Sequence, residues 1–126
     1  MKPIYLDHAA STPVHPEVAK VMYNIMIEEY GNASSVHQFG RSAKKIINGA
    51  RDSIAGFLGC APDEWIFTSG GTESDNLALF GAAAATAEKG KHIITTAVEH
   101  HAVLHTCGEL ERKGYSITYL PVDSTG

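Results

Sequence analysis

Ala43, Ile46, Ile47, Ala50, Ile54, Phe57 and Leu58 recur with a period of 3.6 over about four turns, which predicts a helix over about 41–58 with Gly59 as its stop. Gly49 inside it costs about 1 kcal/mol relative to alanine. An earlier helix is expected over 16–30. Pro16 opens it at a first-turn position where the missing N–H is harmless, Val18, Val21, Met22 and Ile25 share a face, and Gly31-Asn32 closes it. Between the two lies "GNASSVHQFG", rich in turn formers and read as a loop. From about residue 64 the rhythm changes. "EWIFTS", "KHIITTAV" and "YSITYLPV" are short β-favouring runs, and "TESDNLALFGAAAATAEKG" and "EHHAVLHTCGELERKG" between them read as helices ending at Gly90 and Gly114. The order is β-α-β-α-β, and a repeat of about 25 residues suits right-handed crossovers between parallel strands. A three-strand parallel sheet followed at once by "VDSTG" reads as incomplete, because parallel sheets are covered on both faces.

The 126 residues suffice for one domain with a core, and 44% apolar with 19% charged positions are ordinary globular values. Net charge is -4 and no like-charge block exceeds Lys44-Lys45, which argues against nucleic acid as a partner. "MKPIYLDHAASTP" meets Asp7 and His8 before a secretory apolar stretch can develop, and no run approaches the roughly 18 apolar residues of a membrane span. A cytoplasmic address is the expectation. Cys60 and Cys107 have neither C-x-x-C spacing nor the density of a disulfide scaffold, so both are expected as reduced thiols.

Candidate chemistry gathers at two strand ends. Ser69-Gly70-Gly71-Thr72 turns a strand into a helix, presenting free backbone N–H groups, the positive end of a helix dipole and hydroxyls to one point, an arrangement that suits phosphate. Neither the Walker A lysine nor the G-x-G-x-x-G spacing is present. A plainer reading stays open, in which the glycines make a tight turn, Thr72 is an N-cap and Asp75 completes a capping box. Glu73 and Asp75 oppose an anion unless helical rotation turns them away. The second place is "EHHAVLHTC", where His100 and His101 follow a strand's C-terminal end, the position at which open α/β sheets bind ligands. A histidine there can stack on a planar ligand or act as acid or base. A metal reading of His101, His105 and Cys107 competes, although H-E-x-x-H is absent and Cys107 lies on the apolar stripe.

Taken in order, "YLDHAASTP" (5–13), "YGNASSVHQFGR" (30–41), "IFTSGGTESDNLAL" (66–79) and "HIITTAVEHHAVLHTC" (92–107) resemble the cysteine desulfurases of the class V aminotransferase group. The resemblance runs along essentially the whole chain. It implies the N-terminal part of a type I pyridoxal-phosphate α/β fold, with 1–15 a segment near the active site and 16–126 the first part of the large coenzyme-binding domain. It also implies a homodimer, pyridoxal 5'-phosphate as cofactor, and L-cysteine converted to L-alanine with the sulfur left as a persulfide for a sulfur-acceptor or scaffold protein. Gly71 and Thr72 match the step that binds the cofactor phosphate. His100 matches the histidine that stacks on the pyridine ring and moves protons in turnover; His101 falls at a variable position. Asn32 and His37 lie in a loop the family places near the active site.

The family's Schiff-base lysine, its aspartate for the pyridine nitrogen, its substrate-carboxylate arginine and its nucleophilic cysteine have no counterpart motif here. None of the seven lysines sits in the family's lysine context, nor Cys60 in its cysteine-loop context. The chain is therefore expected to be about a third of such an enzyme, and inactive alone. Helix-end, hydrogen-bond and stacking contributions of about 0.3–3 kcal/mol each, set against an association cost of about 4 kcal/mol upward, leave binding near millimolar. The rival functions are a class V aminotransferase or selenocysteine lyase and, from another class, a non-catalytic phosphate- or metal-binding α/β module.

Overall fold

A computed structural model describes residues 3–126, so the first two residues of the expected 1–15 segment lie outside the described residues. Where length alone favours one domain, the chain divides into two compact units, one running to Trp65 and the other spanning Ile66–Gly126.

In the first unit, "LDHAA" forms a turn closed by Ala10 N–H and Ser11 N–H donating to the Asp7 carbonyl at 3.2 and 3.3 Å. Helix α1, Pro16–Glu28, starts where Pro16 predicts, with His15 Nδ1 accepting from the Glu17 N–H at 3.3 Å. It stops two residues short of the predicted end. The chain there must pass close to α2, Gln38–Leu58: a Cβ on Gly31 would collide with the Phe39 carbonyl. Helix α2 begins three residues before its predicted start, because His37 caps it, Nδ1 accepting from the Gly40 N–H at 3.3 Å. Gly40, read as part of a loop, is a buried helical residue facing the carbonyls of Asn32 and Ser35. Gly59 ends α2 at φ 71, a left-handed conformation that glycine adopts without strain. Ala43 of the α2 stripe and Ala55 beside it are buried, yet Phe57 is 90% exposed and α1 buries no residue. Pro62–Glu64 forms a single 3-10 turn, tied to α2 by the Arg51 guanidinium, which donates to the Trp65 carbonyl.

The second unit contains α3 (Gly71–Ala85), β1 (His92–Thr96), α4 (His101–Arg112) and β2 (Ser116–Leu120). The strands pair in parallel from His92 opposite Ser116 to Thr96 opposite Leu120. Ala97 N–H extends the contact to the Leu120 carbonyl at 3.0 Å. The right-handed-crossover spacing thus yields a parallel pair, but the predicted third strand in "EWIFTS" is absent among the described residues. Aromatic and β-branched side chains favour an extended backbone there, but among the described residues the sheet consists of two strands, both later in the chain, and 65–68 is not one of them. The architecture is a small parallel sheet with flanking helices, an incomplete α/β fold. Its core lies between the helices and around α4: Ala83, Ala102, Thr106, Cys107 and Leu110 are buried.

Candidate functional site

Helix α3 begins at Gly71, with Gly70 as an extended N-cap at φ 161. The first intrahelical bond is Ser74 N–H to the Gly70 carbonyl at 3.1 Å, so the N–H groups of Gly71, Thr72 and Glu73 are left without helical acceptors, as every helix start requires. Thr72 is exposed beside them. This corrects the capping-box alternative: Thr72 lies inside the helix, Gly70 is the N-cap with no side-chain cap bond, and the first-turn acid that reaches back is Glu73. Its carboxylate accepts from the Ser69 N–H and the Ser69 hydroxyl, each at 2.6 Å. Those bonds, the hydroxyl's first, hold Glu73 below its ordinary value of 4.5. The carboxylate is thereby committed to Ser69 rather than to the amides of Gly71 and Thr72.

Gly71 lacks the two common reasons for a glycine. Its φ is not positive, and a Cβ built on it would meet nothing within 4 Å. The contrast with Gly31 and Gly40, where protein backbone occupies the space, leaves an open approach to the first-turn amides as the physical consequence of glycine here.

His100 is the N-cap of α4, four residues past the end of β1, and its Nδ1 accepts from the Ala102 N–H at 3.1 Å. With Nδ1 as acceptor, the neutral ring carries its proton on Nε2, at the edge turned away from the cap. Two contacts give the direction of the helices. Asn76, in the second turn of α3, accepts from Thr106 in mid-α4 at 2.9 Å, and the Ala83 carbonyl near the end of α3 accepts from the Tyr115 hydroxyl, beyond the end of α4, at 2.7 Å. Both advance in the same sense, so α3 and α4 run parallel. Gly71, Thr72 and His100 therefore share one end of the unit, the C-terminal end of β1, where open α/β sheets take their ligands.

Two residues of this constellation carried no signal in the motif reading. Asn76 Nδ2 donates to the Thr72 carbonyl at 2.8 Å while its Oδ1 faces Thr106, and the buried Thr106 hydroxyl also reaches the Ala102 carbonyl at 2.7 Å. Asn and Thr are indifferent helix formers that bond locally to backbone, so their occurrence within helices is the sequence signal that could have found them.

The other candidates fall elsewhere. The rings of His101 and His105 stack at 5.5 Å on the exposed face of α4, whereas Cys107 is 0% exposed, and burial pushes its thiol up, aided by Glu111 and Glu99. Among the described residues no group of three His, Cys, Asp or Glu could hold a metal ion. Asn32 and His37 belong to the first unit and have local partners: Asn32 Oδ1 accepts from the Ser34 N–H at 2.9 Å, and His37 caps α2. In the 5–13 block the Tyr5 hydroxyl donates to the Asp7 carbonyl at 2.9 Å. Among the described residues no helix is long and apolar enough to cross a membrane.

Residues 4–126 match the family described as Aminotransferase class-V. The chain is 53% identical over 125 residues to "Cysteine desulfurase IscS" of Methanosarcina thermophila, covering 99% of this chain and 31% of that protein. It is 53% identical over 126 residues to "Putative cysteine desulfurase IscS 1" of Bacillus subtilis (strain 168), covering 100% and 33%. Among solved structures, "NIFS-LIKE PROTEIN" superposes with a TM-score of 0.85 at 41% identity, over 91% of this chain and 32% of that one. "SspA in complex with cysteine" superposes at 0.84 and 43%, over 92% and 33%. The chain thus spans about a third of the length of the relatives it matches. A parallel βαβ with its helix starts gathered at one strand end, a sequence match from residue 4 to residue 126, and a backbone that follows NifS-like structures lead to one conclusion: the chain belongs to the class V aminotransferase family.

Proposed function

We propose that this chain supplies the phosphate- and ring-binding part of a pyridoxal-phosphate-dependent cysteine desulfurase. The observation that carries the reading is the convergence of the open Gly71-Thr72 helix start and the His100 cap on the same end of parallel helices. The donor set fits the coenzyme. Unbonded amides at Gly71 and Thr72, the exposed Thr72 hydroxyl and the space over Gly71 suit a dianionic phosphate, each charge-assisted bond contributing about 1.5–3 kcal/mol. The Glu73 charge, bonded back to Ser69, leaves those amides to the phosphate.

When bound, pyridoxal phosphate supplies the electron sink for chemistry at the substrate's α-carbon. In this chain, Thr72 and the first-turn amides hold the phosphate. The cap bond to Ala102 fixes the His100 ring plane, so that the ring can lie against the flat coenzyme and hold or move a proton at Nε2. Neither thiol described here is assigned the sulfur-accepting role. Cys107 is buried and disfavours its thiolate, and Cys60 follows the α2 stop in a stretch unlike the family's cysteine loop. The overall reaction is L-cysteine to L-alanine, with the sulfur passed as a persulfide to an acceptor or scaffold protein for iron–sulfur clusters or thiolation. The protein works as a cytoplasmic homodimer in this reading. The similarity to proteins named cysteine desulfurase, and to one solved with cysteine, supports the substrate.

The test is alanine formation from L-cysteine by the protein containing this segment, with sulfide released from the persulfide by an added dithiol reductant, alongside coenzyme titration. Thr72→Val should weaken coenzyme retention by about 10- to 100-fold, the equivalent of one charge-assisted bond. His100→Asn, which preserves an N-cap oxygen, should leave retention within a few-fold and slow turnover by about 10²–10⁴-fold. Full coenzyme occupancy in Thr72→Val, or undiminished turnover in His100→Asn, overturns the assignment. Alanine formed from selenocysteine but not from cysteine, or amino-group exchange without sulfide release, would instead mark a selenocysteine lyase or an aminotransferase.

A further inference from the structure

Between Thr72 and His100 runs an unbroken set of polar contacts that neither motif contains. The Thr72 carbonyl accepts from Asn76 Nδ2 at 2.8 Å. Asn76 Oδ1 accepts from the Thr106 hydroxyl at 2.9 Å, and the same hydroxyl lies 2.7 Å from the Ala102 carbonyl, so that its one proton is shared between two acceptors. The Ala102 N–H then donates to His100 Nδ1 at 3.1 Å. Thr106 is 3% exposed and flanked by Cys107 and Ala102 in the core, so its hydroxyl has no water to replace a lost partner. Asn76 is half-buried, and its amide orientation follows from its two partners: Nδ2 must face a carbonyl and Oδ1 a hydroxyl.

We propose that Asn76 and Thr106 are positioning residues that lock the first turn of α3 to the first turn of α4, and so set the separation of the phosphate cradle from the His100 ring. The inference rests on the coenzyme reading given above. Its physical content is independent of that reading. Two helix starts joined only by apolar packing can slide against each other by a fraction of an ångström at little cost, whereas a bidentate amide wedged between a backbone carbonyl and a buried hydroxyl tolerates little displacement. A ligand that touches both starts is bound best when their spacing is already set.

The experiment uses the whole protein, four single variants and one double variant. Thr106→Val keeps the shape and removes the hydroxyl, Thr106→Ser restores it, Asn76→Ala removes both arms, and Asn76→Asp keeps the acceptor but cannot donate to Thr72. Three quantities are read: the dissociation constant of pyridoxal phosphate, the phosphorus-31 resonance of the bound phosphate, and backbone amide exchange at Ser74, Asp75 and Asn76 in the coenzyme-free protein. Thr106→Val, Asn76→Ala and Asn76→Asp should each raise the dissociation constant about tenfold and move the phosphorus resonance, with Thr106→Ser within about twofold of wild type. The Asn76→Ala/Thr106→Val double variant should lose about the same tenfold, not a hundredfold, because both cuts sever one link. Exchange at 74–76 should quicken about tenfold while Gly81–Ala85 is unchanged. Wild-type retention in Thr106→Val, multiplicative losses in the double variant, or a Thr106→Ser as poor as Thr106→Val overturns the proposal. Should Thr106→Val not fold, the half-buried Asn76→Asp carries the same comparison. A wild type that takes no pyridoxal phosphate sinks the coenzyme reading, and the exchange rates in the same samples then decide the link by themselves.

Discussion

Glu73 is held on the first turn of α3 with its carboxylate 2.6 Å from both the Ser69 N–H and the Ser69 hydroxyl. Both bonds favour the ionised form, so its folded pKa lies below its ordinary value of 4.5. The sign of the pH effect follows. Over the interval between the depressed and the ordinary value the unfolded chain binds more protons than the folded one, so stability rises with pH there. The contribution of Glu73 is fully present above its ordinary value and is lost as the pH falls through the folded one. Glu73→Gln should therefore melt below wild type at pH 7, and the gap should narrow toward pH 3; a gap that widens on acidification would mean the carboxylate is not stabilised by Ser69. At this scale the site was partly legible. Gly71, Thr72 and His100 start two parallel helices at one end of the unit, as their sequence positions suggest, although the strand expected before Gly71 is not formed among the described residues. The first-turn acid was misread, since assigning Thr72 as N-cap displaces the helix start by two residues and points to Asp75 instead of Glu73, which bonds back to Ser69. Asn76 and Thr106 stand out in sequence only as indifferent helix formers inside helices; their partnership lies in the packing of two helices, which residue spacing within either does not encode.

Elements follow the same division between local and non-local causes. Pro16 opening α1 and Gly59 closing α2 at φ 71 are local chemistry, and both were legible. The α2 start was not, because Gly40 in isolation looks like a breaker, and only the fold-back of 31–35 onto it explains why no side chain is tolerated. The unformed strand at 65–68 is the converse case, a local preference for extended backbone that does not by itself make a sheet strand. Two glycines of one helix differ in the space around them. Gly40→Ala would drive a Cβ into the carbonyls of Ser35 and Asn32 and should destabilise by about 1–3 kcal/mol. Gly49→Ala, with nothing within 4 Å of the added carbon, should stabilise by about 0.5–1 kcal/mol through helix propensity alone. Denaturant melts of the two variants check the opposite signs; destabilisation at both positions would show that α2 rejects alanine for some reason other than that collision.

For the whole molecule, the decisive quantity is apolar surface left without a neighbour. Helix α1 exposes Val18, Val21, Met22 and Met26, α2 exposes Phe57, and Ile94 on the inner-type strand β1 is 62% exposed. A parallel pair with an uncovered face and free edges is the arrangement native proteins avoid, since such strands are stable only when both faces are covered and edge backbone groups invite pairing with other chains. Contiguous apolar surface beyond a few hundred square ångströms marks a surface that another body covers. The 126 residues prepared by themselves should accordingly bind a hydrophobic dye strongly and elute from size exclusion with light scattering as a concentration-dependent distribution rather than as a 13.5 kDa species. Carboxylates substituted on the face of α1, as in Val18→Glu with Met22→Glu, should shift that distribution toward the monomer without loss of helical circular dichroism, because both side chains are half exposed and α1 buries no residue. A sharp, dye-free monomer at tens of micromolar from the unmodified sequence would mean that these side chains are not exposed in solution, and the reading of them as an uncovered apolar surface would have to be abandoned.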